Sequence, residues 1–184
     1  MNKKCFGVIL VFFVCAIISC VNTQEIKNGK ENKMDEVKIV SMFPARTVAY
    51  HIVDTEPEGK ALEPILKWIT ENNLVGTMRL FGFNTEPYPS GSNSAYGFGF
   101  CATIPEGSEI PSPLYEKRLP GGIYAVLYEY EGHPGFGWEK MGNWQNDPNW
   151  EWMYDNSRPG LEEHIPIGDK DGYFIPILLP VKKK

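Results

Sequence analysis

At 184 residues the chain is the size of one ordinary domain with a short extension, and it carries 18 basic against 23 acidic side chains, a formal net charge of −5 at pH 7. That balance gives no electrostatic footprint for nucleic acid. Three of the four cysteines lie within the first 20 residues, which leaves Cys101 without a partner, so the fold has to rest on its own core rather than on a disulfide.

In chain order, Met1-Asn-Lys-Lys4 is a basic start, and Cys5 to Ile18 is an apolar run short of the about 20 residues that a membrane span needs. Residues 1–20 therefore read as a signal peptide. Ile17-Ile-Ser-Cys20 resembles a bacterial lipobox, with small Ser19 directly before the cysteine. The resemblance implies that Cys20 is lipid-modified and that the mature protein sits in the cell envelope, anchored and outside the cytoplasm; an ordinary secretory signal is the alternative. Loss of Lys3 and Lys4 with the leader leaves 16 basic against 23 acidic side chains, a net −7. Residues 21–36 are polar with almost no large apolar side chains, which is the composition of a tether. Residues 37–181 form the domain, and Lys182-Lys-Lys184 reads as a solvated basic tail.

Residues 37–42 and 47–53 are β-prone and interrupted by Pro44, which predicts a first strand that bends. After a polar turn at 54–59, Leu62, Ile65, Leu66 and Ile69 recur at helical spacing with Trp68 on their flank. Pro64 is tolerable only in a first turn, so the helix is expected from about Glu63. Residues 79–84 are a strand candidate, 85–94 a loop, and Tyr96 to Thr103 alternates between aromatic residues (Tyr96, Phe98, Phe100) and small ones (Gly97, Gly99, Cys101). The glycine side is expected to admit a helix, leaving open space over the aromatic side.

Residues 118–132 alternate as well. Ile123, Ala125 and Leu127 suit burial under a helix, whereas Tyr124, Val126, Tyr128 and Tyr130 offer aromatic bodies with hydroxyl tips, a surface for an apolar, hydrogen-bonding ligand. Beyond them, 136–156 reads as two helical pieces broken at Asp147-Pro148, followed by strands at 161–165 and 173–181. A shift of 76 residues lays Pro44 on Pro120, Ala49 on Ala125 and Trp68 on Trp144. The chain is thus expected to be α+β, a tandem pseudo-symmetric βαββ repeat forming an antiparallel sheet with helices on one side and an open ligand cleft.

This plan, together with Leu119-Pro-Gly-Gly-Ile-Tyr-Ala125, Pro159-Gly-Leu-Glu-Glu-His164 and Ile175-Pro-Ile-Leu-Leu-Pro-Val181, resembles the GyrI-like small-molecule-binding domain. That family includes the effector-binding domains of AraC-type and MerR-type multidrug regulators and is related in fold to the SOUL haem-binding proteins. The resemblance implies a cleft for an organic, often cationic, ligand, with a glutamate on the strand before the last. Glu162 is the matching position, and His164 stands where an aromatic is usual. No helix-turn-helix pattern precedes the domain, so the resemblance implies no regulator role.

The ligand-binding candidates are therefore Glu162, His164, Tyr96, Phe98, Tyr124, Tyr128, Trp138, Trp152 and Tyr154. The bland alternatives are a solvated Glu162, or one paired with Arg158 or Arg118, and rings that only fill a core. Trp68 and Trp144, at equivalent helical positions, are expected in the core, as is Cys101. His51, His133 and His164 have no metal-ligand spacing, and no nucleophile or phosphate-loop motif is present, so no metal or cofactor is expected; haem would need His164 as its axial ligand. Two other functions remain open. One is a hydrolase with Glu162 as general base and Tyr124 or Tyr128 as proton donor, and the other is an envelope scaffold.

Overall fold

The computed structural model describes residues 37–91, 93–128, 133–167 and 172–184. The signal peptide, Cys20, the tether and Tyr130 lie outside these residues. Val37–Met42 (β1) and Ala45–Asp54 (β2) are one β-prone run broken at Phe43-Pro44, and Tyr115–Leu119 (β5) and Gly122–Leu127 (β6) are another broken at Pro120-Gly121. The two bent runs pair antiparallel without losing register. Met42 faces Gly122 and Ala45 faces Leu119, three residues further along each strand. Leu80–Thr85 (β3) and Tyr96–Thr103 (β4) follow the first helix, and Leu161–Glu163 (β8) and Ile177–Lys183 (β11) follow the second.

The sheet order is β1-β6-β11-β8-β3-β4-β2-β5, with every neighbouring pair antiparallel. It curls into a half-barrel, and the continuous β1–β2 to β5–β6 ladder ties its two rims together. The expected α+β architecture and twofold βαββ plan are present. The pseudo-twofold passes between the central strands β3 and β8, where Gly82 pairs with Glu162.

The first helix, Pro57–Glu71 (α1), begins six residues ahead of the expected Glu63. Pro57 takes a first-turn position, where its fixed φ is already helical and its missing N–H costs nothing, and Glu58 complements the helix dipole beside it. Pro64 is consequently interior. It forgoes one ladder bond, which the burial of Ala61, Ile65, Trp68 and Ile69 against Val48, Leu80, Phe98 and Phe100 offsets. The second helix, Pro134–Gln145 (α2), is capped by His133, whose Nδ1 accepts from the Gly135 N–H at 3.0 Å.

Past α2 the expected second helical piece is instead a strand, Trp152–Tyr154 (β7), which pairs with the end of β11. Pro148 breaks the helix as foreseen, but Trp, Met and Tyr then find an unpaired stretch of β11. That strand runs on to Lys183, so Lys182 and Lys183 pair in the sheet with their side chains exposed. A small antiparallel hairpin, Ile165–Pro166 (β9) with Tyr173–Phe174 (β10), stands off the main sheet.

Both helices cover one face. α1 seals the core just named, and α2 brings Met141 and Trp144 onto Ile39, Ala125, Leu127, Ile177 and Leu179. Trp68 and Trp144 are core residues in matching places, as the repeat implies. The inside of the half-barrel is filled by a third cluster, including Val40, Phe81, Phe83, Cys101, Tyr124, Leu161 and Leu178. Cys101 is fully buried there, and burial pushes its thiol up to about 12, which makes it an inert packing group.

Candidate functional site

Alternation along β8 decides which groups meet. Leu161 and Glu163 point into the half-barrel, where Arg79 grips Glu163 through Nε and Nη2 at 2.7 and 2.9 Å. Glu162 points the other way, towards the helices, and emerges between the core under α1 and the core under α2. A carboxylate there is poorly solvated. Its side chain is 12% exposed, its Oε1 accepts from Trp138 Nε1 at 2.7 Å, and among the described residues no lysine or arginine pairs with it. Burial therefore raises its carboxyl above the usual carboxylate range; the Trp138 hydrogen bond works against this rise and the charge of Glu58 adds to it. Neither Arg158 nor Arg118 reaches it, because both are engaged elsewhere.

Four of the other sequence candidates gather around this acid. Trp138 leans over Gly160, where a Cβ would lie 2.6 Å from its Cη2, so the indole needs that glycine to reach Glu162. His164 is 10% exposed, with Nε2 at 3.9 Å from Glu162 Oε2. The imidazole is buried among Phe100 and Tyr173, and that burial pushes it down to about 4. It is neutral at pH 7, so the 3.9 Å approach is not an ion pair. Tyr96 donates its hydroxyl to Glu58 in the first turn of α1, and burial first, then that acceptor, pushes the phenol up to about 12. Phe98 completes the wall from β4.

The remaining candidates lie elsewhere. Tyr124 is fully buried inside the half-barrel, on the opposite face of the sheet from Glu162, with the Arg158 guanidinium 4.8 Å from its ring centroid. Tyr128 packs on the same inner cluster. The face of β6 that carries Tyr124 therefore lines the half-barrel, because it is α2 that covers Ile123, Ala125 and Leu127. Trp152 is a core residue beneath α2. Tyr154 is 40% exposed and lies across Trp138 from Glu162, in a pocket of about 390 Å³ that it shares with Asn84, Tyr88, Asn156 and Ser157. Trp138 thus stands between that pocket and the acid.

The expected open side of β4 is also reversed. The aromatic side of β4 carries α1, whereas Gly99 faces the opposite side, where a Cβ would lie 2.8 Å from His51 Cβ and 2.9 Å from Phe83 Cζ. Sequence reasoning missed Glu58, which sits in what reads as a turn, and Gly82. A Cβ on Gly82 would meet Phe98 Cζ at 2.8 Å and His164 Nε2 at 3.2 Å, so only glycine leaves room for these rings beside Glu162. The sole signal was a glycine between two phenylalanines in a strand.

The neutral state of His164 has a measurable cost in acid. Its folded pKa lies below the unfolded value, so between about pH 6.5 and 4 the unfolded chain binds a proton that the fold refuses, and stability falls as pH falls. Urea melts at pH 7 and 4.5 should show the wild type losing about 2 kcal/mol more than His164→Gln over that interval.

No protein-family profile matches the chain, and no curated protein matches it. Solved structures do match. The EcmrR C-terminal domain aligns at 13% identity with a TM-score of 0.61, over 80% of this chain and 98% of that one. The fold is the one the resemblance implies. EcmrR in its complex with DNA aligns at 10% identity and TM-score 0.58, over 80% of this chain and 57% of that longer one. A hydrolase from Listeria innocua aligns at 10% identity and TM-score 0.54, over 80% and 92%. At these identities the likeness is one of fold, a half-barrel sheet with two helices on one face.

Proposed function

We propose that the protein binds a small organic cation on the helix-covered face of the sheet, between the cores under α1 and α2, with Glu162 as the anionic contact and Trp138, Phe98 and Tyr96 as aromatic walls. The observation that carries this reading is the carboxylate itself. An acid buried at the centre of a fold, held by one indole N–H and with no basic partner among the described residues, is costly to ionise. A ligand cation supplies the missing charge and stacks on the surrounding rings. The shared fold with the EcmrR C-terminal domain supports a ligand-binding role. Titration calorimetry with hydrophobic amines tests it, and a panel of cationic aromatic ligands that all fail to bind at millimolar concentration would overturn it.

A hydrolytic reading has one observation in its favour, the like-folded Listeria hydrolase. Tyr124 and Tyr128 cannot serve it as donors to a substrate at Glu162, since they occupy the other face of the sheet. Tyr96 is the phenol nearest to that role, and its proton is already committed to Glu58. Binding without turnover is the reading favoured here.

We further infer that Cys20 is the lipid attachment site and that the domain works at the envelope, outside the cytoplasm, on the motif that ends at that residue. Metabolic labelling with a radioactive fatty acid should mark the wild type and not Cys20→Ala. Equal labelling of both, or of neither, would remove the anchor from the account.

A further inference from the structure

Glu162 presents two oxygens to different surroundings. Oε1 is taken by Trp138, whereas Oε2 faces His164 Nε2 across 3.9 Å, too far for a hydrogen bond. Nε2 is buried and has no hydrogen-bond partner among the described residues, an expensive state for a polar atom. The ring is fixed by edge-on contacts with Phe100 and Tyr173, at 4.8 and 5.4 Å between centroids, and it packs so closely over Gly82 that a Cβ there would lie 3.2 Å from Nε2. Two atoms able to accept, Glu162 Oε2 and His164 Nε2, therefore stand 3.9 Å apart on one face of the sheet.

We propose that Glu162 and His164 form a two-point acceptor that selects cations bearing N–H bonds, a primary amine or an amidine, over cations that bear none, such as a quaternary ammonium. The proposal rests on the cation-binding reading above and names its ligand class. The imidazole is uncharged at neutral pH, so with its proton on Nδ1 it offers Nε2 as a lone-pair acceptor. A nitrogen held about 2.9 Å from both Oε2 and Nε2 bridges them with one N–H to each. A quaternary ammonium has no N–H to give and keeps its charge behind methyl groups, so it leaves Nε2 unsatisfied. A phenyl ring at position 164 would offer a face but no lone pair.

The test compares naphthylmethylamine with its N,N,N-trimethyl analogue, which share ring and charge and differ in N–H bonds. Calorimetry on the wild type should show the amine binding roughly ten-fold or more tightly than the trimethyl analogue. His164→Phe, which keeps an aromatic ring, should bring that ratio close to one, and His164→Asn, which restores an acceptor on a smaller side chain, should keep part of it; thermal melts check that both variants fold. An undiminished preference in His164→Phe, or no preference in the wild type, overturns the proposal. Glu162→Gln separates this failure from that of the underlying reading. If it binds both probes as tightly as the wild type does, cation binding at Glu162 itself is wrong, and the two-point acceptor falls with it.

Discussion

Arg158→Ala should lower stability by about 3–5 kcal/mol, a fall of roughly 10 °C or more in melting temperature for a domain of this size. The guanidinium is 10% exposed and every direction of its fork is used. Nη1 donates to the Gly121 carbonyl at 2.8 Å, Nη2 to the carbonyls of Ile123 and Val181 at 2.9 and 3.0 Å, and Nε to Asp155 at 2.9 Å. These partners lie at the bend of β5–β6, at the far end of β11 and in the turn after β7, so one side chain joins the rim of the half-barrel to its centre. Alanine leaves three carbonyls short of a donor. Gly122, with φ of +102°, is shaped to this contact, since a Cβ there would lie 2.5 Å from Nη1. Arg158→Lys should recover little, because an ammonium cannot reproduce the planar fork. Chemical denaturation measures both variants, and a loss under 1 kcal/mol for alanine would refute the role.

Glu162→Gln should have the opposite signature, weakening a cationic aromatic ligand by about 10- to 100-fold while leaving the unliganded protein as stable as the wild type or more so at pH 7. The sign follows from linkage. Burial raises the folded carboxyl above its unfolded value, so the fold holds a proton that the unfolded chain has released, and stability drops as pH rises through that interval. Above it, the folded state carries the whole cost of the charge. Glutamine keeps an oxygen for Trp138 Nε1 and removes the charge, which removes both the cost and the attraction. Wild-type affinity should for the same reason weaken on acidification at a pH above the ordinary carboxylate range. A Glu162→Gln protein that melts well below the wild type would mean that the acid serves the fold.

The parts of this architecture that could be read from sequence are those fixed by periodicity. The small aliphatic face of β6 lies under α2, Trp68 and Trp144 occupy equivalent core positions, and alternation correctly set Glu162 apart from Leu161. Alternation states that two faces differ and is silent on which one receives a helix. On β4 the aromatic face took α1 because Phe98 and Phe100 give it a surface to bury, and the glycines serve a crowded opposite face. Tyr124 followed the same logic. A hydroxylated ring on a strand looks like ligand surface until the sheet curls and that face becomes an interior. Trp152 turned on non-local pairing, since only the unpaired end of β11 makes a strand of the segment after Pro148. Glu58 and Gly82 gain meaning from the pseudo-twofold, which brings α1, β3 and β8 to one spot that no local window contains.

A crystal structure of the protein with naphthylmethylamine bound tests the central claim most directly. The account predicts the amine nitrogen within about 3 Å of a Glu162 carboxylate oxygen, with the naphthyl ring against Trp138 on the helix-covered face of the sheet. A ligand seated inside the half-barrel by Tyr124, or on the outer surface of α1 with Glu162 still held only by Trp138, would contradict it.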